Sequence, residues 1–119
     1  MKKREGVRRD RFISLYFSTP ICEGRHKLIK RYARLAPHSM WSFESMDLQG
    51  RTLNLGETAL LQDEVYPFTW NLQKNGIMLS TLHNHWLMNN PNLVYAHYTS
   101  VEETLSFARK VAEGYKVLQ

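Results

Sequence analysis

The sequence predicts an α+β fold: a two-layer sandwich in which an antiparallel sheet carries two helices on one face, in a ferredoxin-like arrangement. Three observations carry this expectation. Four segments have strand character, at 40–46, 52–61, 77–86 and 93–99. Two segments have helical spacing with terminal signals, one following Asp63 and Glu64 and one following Ser100. Their order from Thr52 is strand, helix, strand, strand, helix, which lays both helices against one side of a sheet. The strand at 40–46 then takes the place of the usual last strand. At 119 residues there is room for one hydrophobic core.

Each element has a local reason. Residues 40–46 alternate, with Met40, Ser42, Glu44 and Met46 on one face and Trp41, Phe43 and Ser45 on the other. Asp47 to Arg51, containing Gly50, reads as a turn into the extended segment Thr52–Leu61. Asp63 and Glu64 suit the positive end of a helix dipole, Val65, Phe68 and Leu72 form its apolar face, and Pro67 falls in its first turn. Asn75-Gly76 supplies the left-handed stop. Ile77–Trp86 and Leu93–Thr99 read as a hairpin across Asn89-Asn90-Pro91-Asn92. Ser100 and Glu103 have capping-box spacing, so the last helix is expected to begin there, with Val101, Leu105, Ala108, Val111 or Ala112, and Tyr115 as its apolar stripe. Trp41, Phe43 and Trp70 are expected in the core or half-buried.

Upstream the pattern changes. Residues 1–34 hold eleven positive and three negative charges, a net +8, while the remainder holds five against eight, a net −3. Residues 1–35 are therefore read as a basic N-terminal arm with weak structure, and 36–119 as a single α+β domain. Within the arm, Phe12–Ser18 has strand composition and Leu28, Ile29, Tyr32 and Leu35 recur at helical spacing. The order of basic residues before Phe12–Phe17 is that of a secretory signal, but the run is short and Pro20-Ile21 before Cys22 suits neither cleavage nor lipid attachment. A cytoplasmic location is favoured on that ground. No apolar run reaches the roughly 20 residues of a membrane span. One cysteine can form neither an internal disulfide nor a thiolate metal site alone.

The most chemically suggestive feature is the His83-Asn84-His85 run. In a strand, His83 and His85 share a face, together with Thr81, Leu79 and Ile77. Pairing symmetric about Asn90 would set His83 opposite His97 and His85 opposite Tyr95, whereas an odd register would turn His97 away. Three imidazoles on one face suit a divalent transition metal such as zinc, with nickel, copper or ferrous iron as alternatives. His83, His85 and His97 are thus the candidate metal ligands, and Glu44, Glu57, Asp63 and Glu64 the carboxylates within the inferred sheet. The plainer reading is a set of polar residues at a sheet end, hydrogen-bonded to backbone.

Trp41-Ser42-Phe43-Glu44-Ser45, Leu53–Thr58, Asp63-Glu64-Val65 with Pro67, Gly76-Ile77, Leu82–Leu87 with Pro91, Tyr95 and His97, and Phe107–Lys110 together resemble the domain of unknown function typified by the mycobacterial lipoproteins LppY and LpqO, and more closely its Bacillus-type members. The resemblance covers about residues 36–118. It implies the domain and, since members are often exported, an export route, but no established activity.

Three functional readings follow. The first is a bacterial α+β domain that binds a metal or small ligand through the histidines; if it is catalytic, the metal activates water with Glu44 or Glu64 as base. The second is a non-enzymatic module that meets a partner, or forms a homo-oligomer, through the apolar hairpin tip Trp86-Leu87-Met88. The third is phosphate or nucleic-acid binding through Arg25, Lys27, Lys30, Arg31 and Arg34, for which a solvated face is the plainer alternative.

Overall fold

The computed structural model describes residues 13–18, 38–84, 87 and 92–118. Five strands, β1 (Ile13–Ser18), β2 (His38–Glu44), β3 (Thr52–Leu61), β4 (Met78–Asn84) and β5 (Leu93–Glu102), form one antiparallel sheet in the order β1-β2-β3-β5-β4. Helices α1 (Val65–Lys74) and α2 (Thr104–Tyr115) pack on one face, giving the two-layer α+β architecture expected. Strands β2-β3-β5-β4 keep the ferredoxin-like order, with β2 in the place of the usual last strand. Single-turn 3₁₀ segments, Gln62–Glu64 and Lys116–Leu118, precede α1 and follow α2. Among the described residues no helix is long and apolar enough to cross a membrane.

Local chemistry explains most boundaries. Asp47 Oδ1 accepts the backbone N–H groups of Gln49 and Arg51, each at 2.9 Å, which closes the β2–β3 turn, and Gly50 takes a φ of 78° there. Glu64 Oε2 accepts the N–H of Leu61 at 2.8 Å, so an acidic side chain satisfies backbone at the entry to α1. Gly76, with φ 82°, ends α1 as the Asn-Gly pair predicts.

The helix-facing side of the sheet follows from pairing, because directly opposed residues share a face. Gly56, Thr58 and Leu60 of β3 lie opposite Tyr98, Ala96 and Val94 of β5. Leu60, Ala96 and Tyr98 join Phe68 and Leu72 of α1, and Phe107 and Val111 of α2, in one buried cluster. At its centre the Tyr98 ring lies across Gly56, where a Cβ would overlap the ring. That passage lets the Tyr98 hydroxyl reach Thr58 Oγ1 at 2.9 Å and accept Trp41 Nε1–H at 2.9 Å.

The same Thr58 hydroxyl contacts Tyr115 Oη at 2.6 Å, Tyr115 donates to Ser39 Oγ at 2.7 Å, and Ser39 donates to Thr58 at 3.4 Å. The donor directions can be assigned. Tyr115 gives its proton to Ser39, so Thr58 is the donor in the 2.6 Å contact with Tyr115, and with its one proton used there Thr58 accepts from Tyr98. Thr58, Tyr115 and Ser39 form a closed ring of donors, with Tyr98 and Trp41 feeding into it. Sheet and α2 are joined through buried polar groups that are all satisfied.

Several expectations are corrected. The strand expected at 40–46 runs from His38 to Glu44, and Ser45, at φ 57°, ends it. The capping box at Ser100 and Glu103 does not form, because β5 continues to Glu102, paired opposite Thr52. A ten-residue ladder, reinforced by the buried Asn54 amide donating to the carbonyls of Thr52 and Glu102 at 3.0 Å, outweighs one local helix signal. Helix α2 therefore starts at Thr104, and its inner stripe is Phe107, Val111 and Gly114, whereas Val101, Leu105 and Ala108 are exposed. Trp70 is exposed rather than in the core, since Phe68, Thr69 and Leu72 occupy the inner side of α1. The helix expected around Leu28–Leu35 lies outside the described residues.

Replacing Gly56 with alanine should destabilise the protein by about 1–3 kcal/mol or more, even though alanine is ordinarily the better strand residue. An unchanged urea midpoint would contradict the close approach of Tyr98. Burial, followed by the neighbouring Tyr115, pushes the Tyr98 phenol well above its ordinary value. The folded state then holds this proton where the unfolded chain releases it, so stability should fall as pH rises above about 10. Tyr98→Phe should flatten that alkaline slope in urea titrations.

Candidate functional site

The face of the sheet away from the helices carries the titratable cluster. Glu57 of β3 lies directly opposite His97 of β5, and Tyr95 lies opposite Ala59 on one side and His83 of β4 on the other. The β4–β5 register differs from the expected one: His97 pairs with Thr81 and His83 with Tyr95. The hairpin is displaced by a whole residue pair, so parity survives and His83 and His97 still share a face as diagonal neighbours. His85 lies outside the described residues.

An irregularity between Leu79 and Thr81 changes the lower half of β4. Leu79 pairs with Tyr98, and Leu79 and Ile77 turn toward the core. They do not share the histidine face as strict alternation predicts, because an extra residue in one strand reverses the side-chain direction beyond it. Thr81 and His83, above the irregularity, keep the open face.

The two imidazoles meet through their Nε2 atoms at 2.8 Å, with ring centroids 4.9 Å apart. The outer nitrogens are also placed. His83 Nδ1 lies 3.1 Å from the carbonyl oxygen of Asn84, and His97 Nδ1 lies 4.0 Å from Glu57 Oε2. A carbonyl oxygen only accepts, so the His83 contact is a hydrogen bond when Nδ1 carries the proton, which leaves Nε2 as a bare lone pair in the neutral ring. With the His97 proton on Nε2 the pair is an N–H···N hydrogen bond onto His83; with it on Nδ1, turned toward Glu57, two Nε2 lone pairs face each other.

Tyr95 forms the floor of the site. Its ring stacks on His83 at 5.9 Å, and burial, then the charge of Glu57, push its phenol above the ordinary range. Glu57 is therefore the carboxylate of this site. Glu44, opposite Leu53, lies four residues farther along the sheet, about 13 Å away. Glu64 is engaged at the entry to α1, and Asp63 is exposed beside it. Strand alternation within β3 marks Glu57 as facing away from the Thr58 side, but only the β3–β5 register reveals that it meets His97.

Among the described residues, no group of three or more His, Cys, Asp or Glu side chains gathers in metal-binding geometry. Of the apolar hairpin tip, Leu87 is described and fully exposed, while Trp86 and Met88 lie outside the described residues. The basic residues Arg25, Lys27, Lys30, Arg31 and Arg34 lie outside them too.

Fold and site together define a small ferredoxin-like α+β domain with a polar histidine face. The chain belongs to the family described as Domain of Unknown Function (DUF1259), whose model matches residues 19–117. No curated protein and no solved structure matches it.

The electrostatic link between Glu57 and Tyr95 has a direct check. Glu57→Gln removes the negative neighbour and should lower the Tyr95 pKa, while burial keeps it above the ordinary value. Ultraviolet titration of the variant, with Tyr95→Phe to isolate the signal, reads this. An unaltered Tyr95 titration would mean that the two groups do not sense each other.

Proposed function

We propose that this domain binds a divalent transition metal such as zinc between His83 and His97, with His85 as a third ligand and a small ligand or water completing the shell. The observation that carries the reading is the convergence of two Nε2 atoms on an open sheet face, with the outer nitrogen of His83 against the Asn84 carbonyl and that of His97 4.0 Å from the Glu57 carboxylate. Metal-bound histidines characteristically present the other ring nitrogen to a backbone carbonyl or carboxylate, which fixes the tautomer and orients the ring. Here the Asn84 carbonyl has that place beside His83, and Glu57, 4.0 Å from His97 Nδ1, would take it beside His97 on closing by about 1 Å.

The spacing is close to what a metal requires. Bonds of about 2.0–2.1 Å at a tetrahedral angle hold two nitrogens about 3.3 Å apart. The rings must therefore open by about 0.5 Å from the observed 2.8 Å, a small side-chain rotation on an exposed face. Glu57 in this arrangement orients His97 and is not placed as a base for metal-bound water. Within its family the chain reads as a member of the LppY and LpqO type, since the Leu82-His83-Asn84-His85 run and Tyr95-x-His97 that carry that resemblance also hold the proposed ligands.

Protein prepared without a polyhistidine tag should bind about one zinc per chain, measured by calorimetry and by elemental analysis after dialysis. His83→Ala and His97→Ala should abolish stoichiometric binding, and Glu57→Gln should weaken it by about 10–100-fold. Affinity should fall on acidification, because protons compete for the same imidazole nitrogens. Trace metal that neither histidine substitution alters would overturn the reading.

A further inference from the structure

We propose that Asn75 is a site of spontaneous covalent modification: when the last turn of α1 opens, its side chain closes onto Gly76 and is converted to aspartate or isoaspartate, neither of which restores the cap. Asn75-Gly76 is the one Asn-Gly step in the sequence. An asparagine followed by glycine is the most prone to this chemistry, because no side chain shields the glycine nitrogen and its backbone turns freely. The space around Gly76 is open as well, since a Cβ placed there would meet no atom within 4 Å. The only co-reactant is water. The Gly76 nitrogen gives its proton to solvent base and attacks Asn75 Cγ, the Cγ–Nδ2 bond breaks, and ammonia leaves with a proton from solvent. Water then opens the succinimide at Cγ to give aspartate, or at the main-chain carbonyl to give isoaspartate, whose backbone runs through Cγ.

The cap of α1 holds the reacting groups apart. Ile77 N–H donates to the Leu72 carbonyl and Gly76 N–H to that of Gln73, both at 3.0 Å, with Gly76 at a φ of 82°. This is the Schellman arrangement, and Ile77 and Leu72 add its hydrophobic contact within the buried cluster. The attacking nitrogen is thus already committed to a carbonyl. Asn75 Nδ2 donates to the Asn71 carbonyl at 2.8 Å, which draws Cγ back along the helix. Ring closure requires Asn75 Cβ and the Gly76 nitrogen to be eclipsed about the Cα–C bond. At the observed ψ of 10° the Asn75 nitrogen takes that place, so tetrahedral geometry turns Cβ well away. Conversion therefore waits on opening of the last turn, a local event that frees a helix end without unfolding the domain.

Neither product rebuilds the cap. Aspartate has no donor for the Asn71 carbonyl, and its negative charge lies at the negative end of the helix dipole. Isoaspartate adds a methylene to the chain between α1 and Ile77. Ile77 is 1% exposed and leads directly into β4 at Met78, so the added length displaces either the cap or a core side chain. Opening of the turn is reversible, but its covalent consequence is not. The α1–β4 junction thereby carries a one-way switch whose rate is set by how often the last turn opens.

Peptide mapping by mass spectrometry, with an isoaspartate-specific methylation assay, tests this on the full chain incubated at mildly alkaline pH, folded and in urea. Asn75 should convert fastest among the asparagines of the unfolded chain, and about tenfold or more slowly when folded. Gln73→Gly, an exposed change that weakens the last turn, should speed conversion in the folded chain about fivefold and leave the unfolded rate unchanged. Asn75→Asp should keep the circular dichroism spectrum but melt at a lower temperature and exchange its Ile77 amide faster. Equal rates folded and unfolded, an unfolded chain in which Asn75 stays intact, a folded rate indifferent to Gln73→Gly, or an Asn75→Asp chain with the wild-type midpoint and exchange would each overturn the proposal.

Discussion

The pairing of Gly56 with Tyr98 fixes more of this molecule than any other contact. A ring can lie flat over a neighbouring strand only where that strand has no side chain, and Gly56 is the β3 residue directly opposite Tyr98. From that position the Tyr98 hydroxyl joins the buried ring of Thr58, Tyr115 and Ser39, which ties β2, β3 and α2 together. A shift of β5 by one residue would drive the Tyr98 ring into a side chain and expose the face that holds the core. The register is thereby set from the buried side.

Consequences appear on the opposite face. Once Tyr98 is opposite Gly56, His97 must be opposite Glu57 and Tyr95 opposite Ala59. The acid–imidazole pair is thus placed by packing on the far side of the sheet. Strand β4 follows a different rule: its irregularity sends Leu79 into the core while His83 stays on the open face. A β4 without the extra residue could not present both an apolar residue to the helices at Leu79 and an imidazole to the other side at His83, because the two are an even number of positions apart.

Electrostatics at the ends of α2 complete the frame. Glu102 accepts from Lys110 Nζ and Ser106 Oγ, each at 2.7 Å. Burial works against its charge, but these donors outweigh it and hold the carboxyl below its ordinary range. This carboxylate at the last residue of β5 anchors the strand end from which α2 departs. The exposed pairs Arg51–Asp47 and Lys116–Glu113 contribute little by comparison, since water and salt screen them.

Much of the fold was legible in the chain. The strand Thr52–Leu61, the helix stopped by Asn75-Gly76, the two-layer architecture and the substitution of β2 for the usual last strand all follow from periodicity, turn chemistry and element order. Errors arose where a local signal competed with a long ladder, as at Ser100–Glu103, or where apolar residues such as Val101, Leu105 and Trp70 were assumed to be inside. For the site, the residue types and the shared face of His83 and His97 were readable, because even displacements preserve strand parity. Which residues touch was not readable: His83 meets Tyr95 rather than His97 directly across the ladder, and Glu57 rather than Glu44 or Glu64 is the carboxylate at hand. Sequence alone determined which elements form and which chemistry they carry, since both depend on neighbours a few residues away. Register, the β4 irregularity and the Glu57–His97–His83 alignment were decided only by tertiary structure, because each depends on how distant strands accommodate the Tyr98 ring over Gly56.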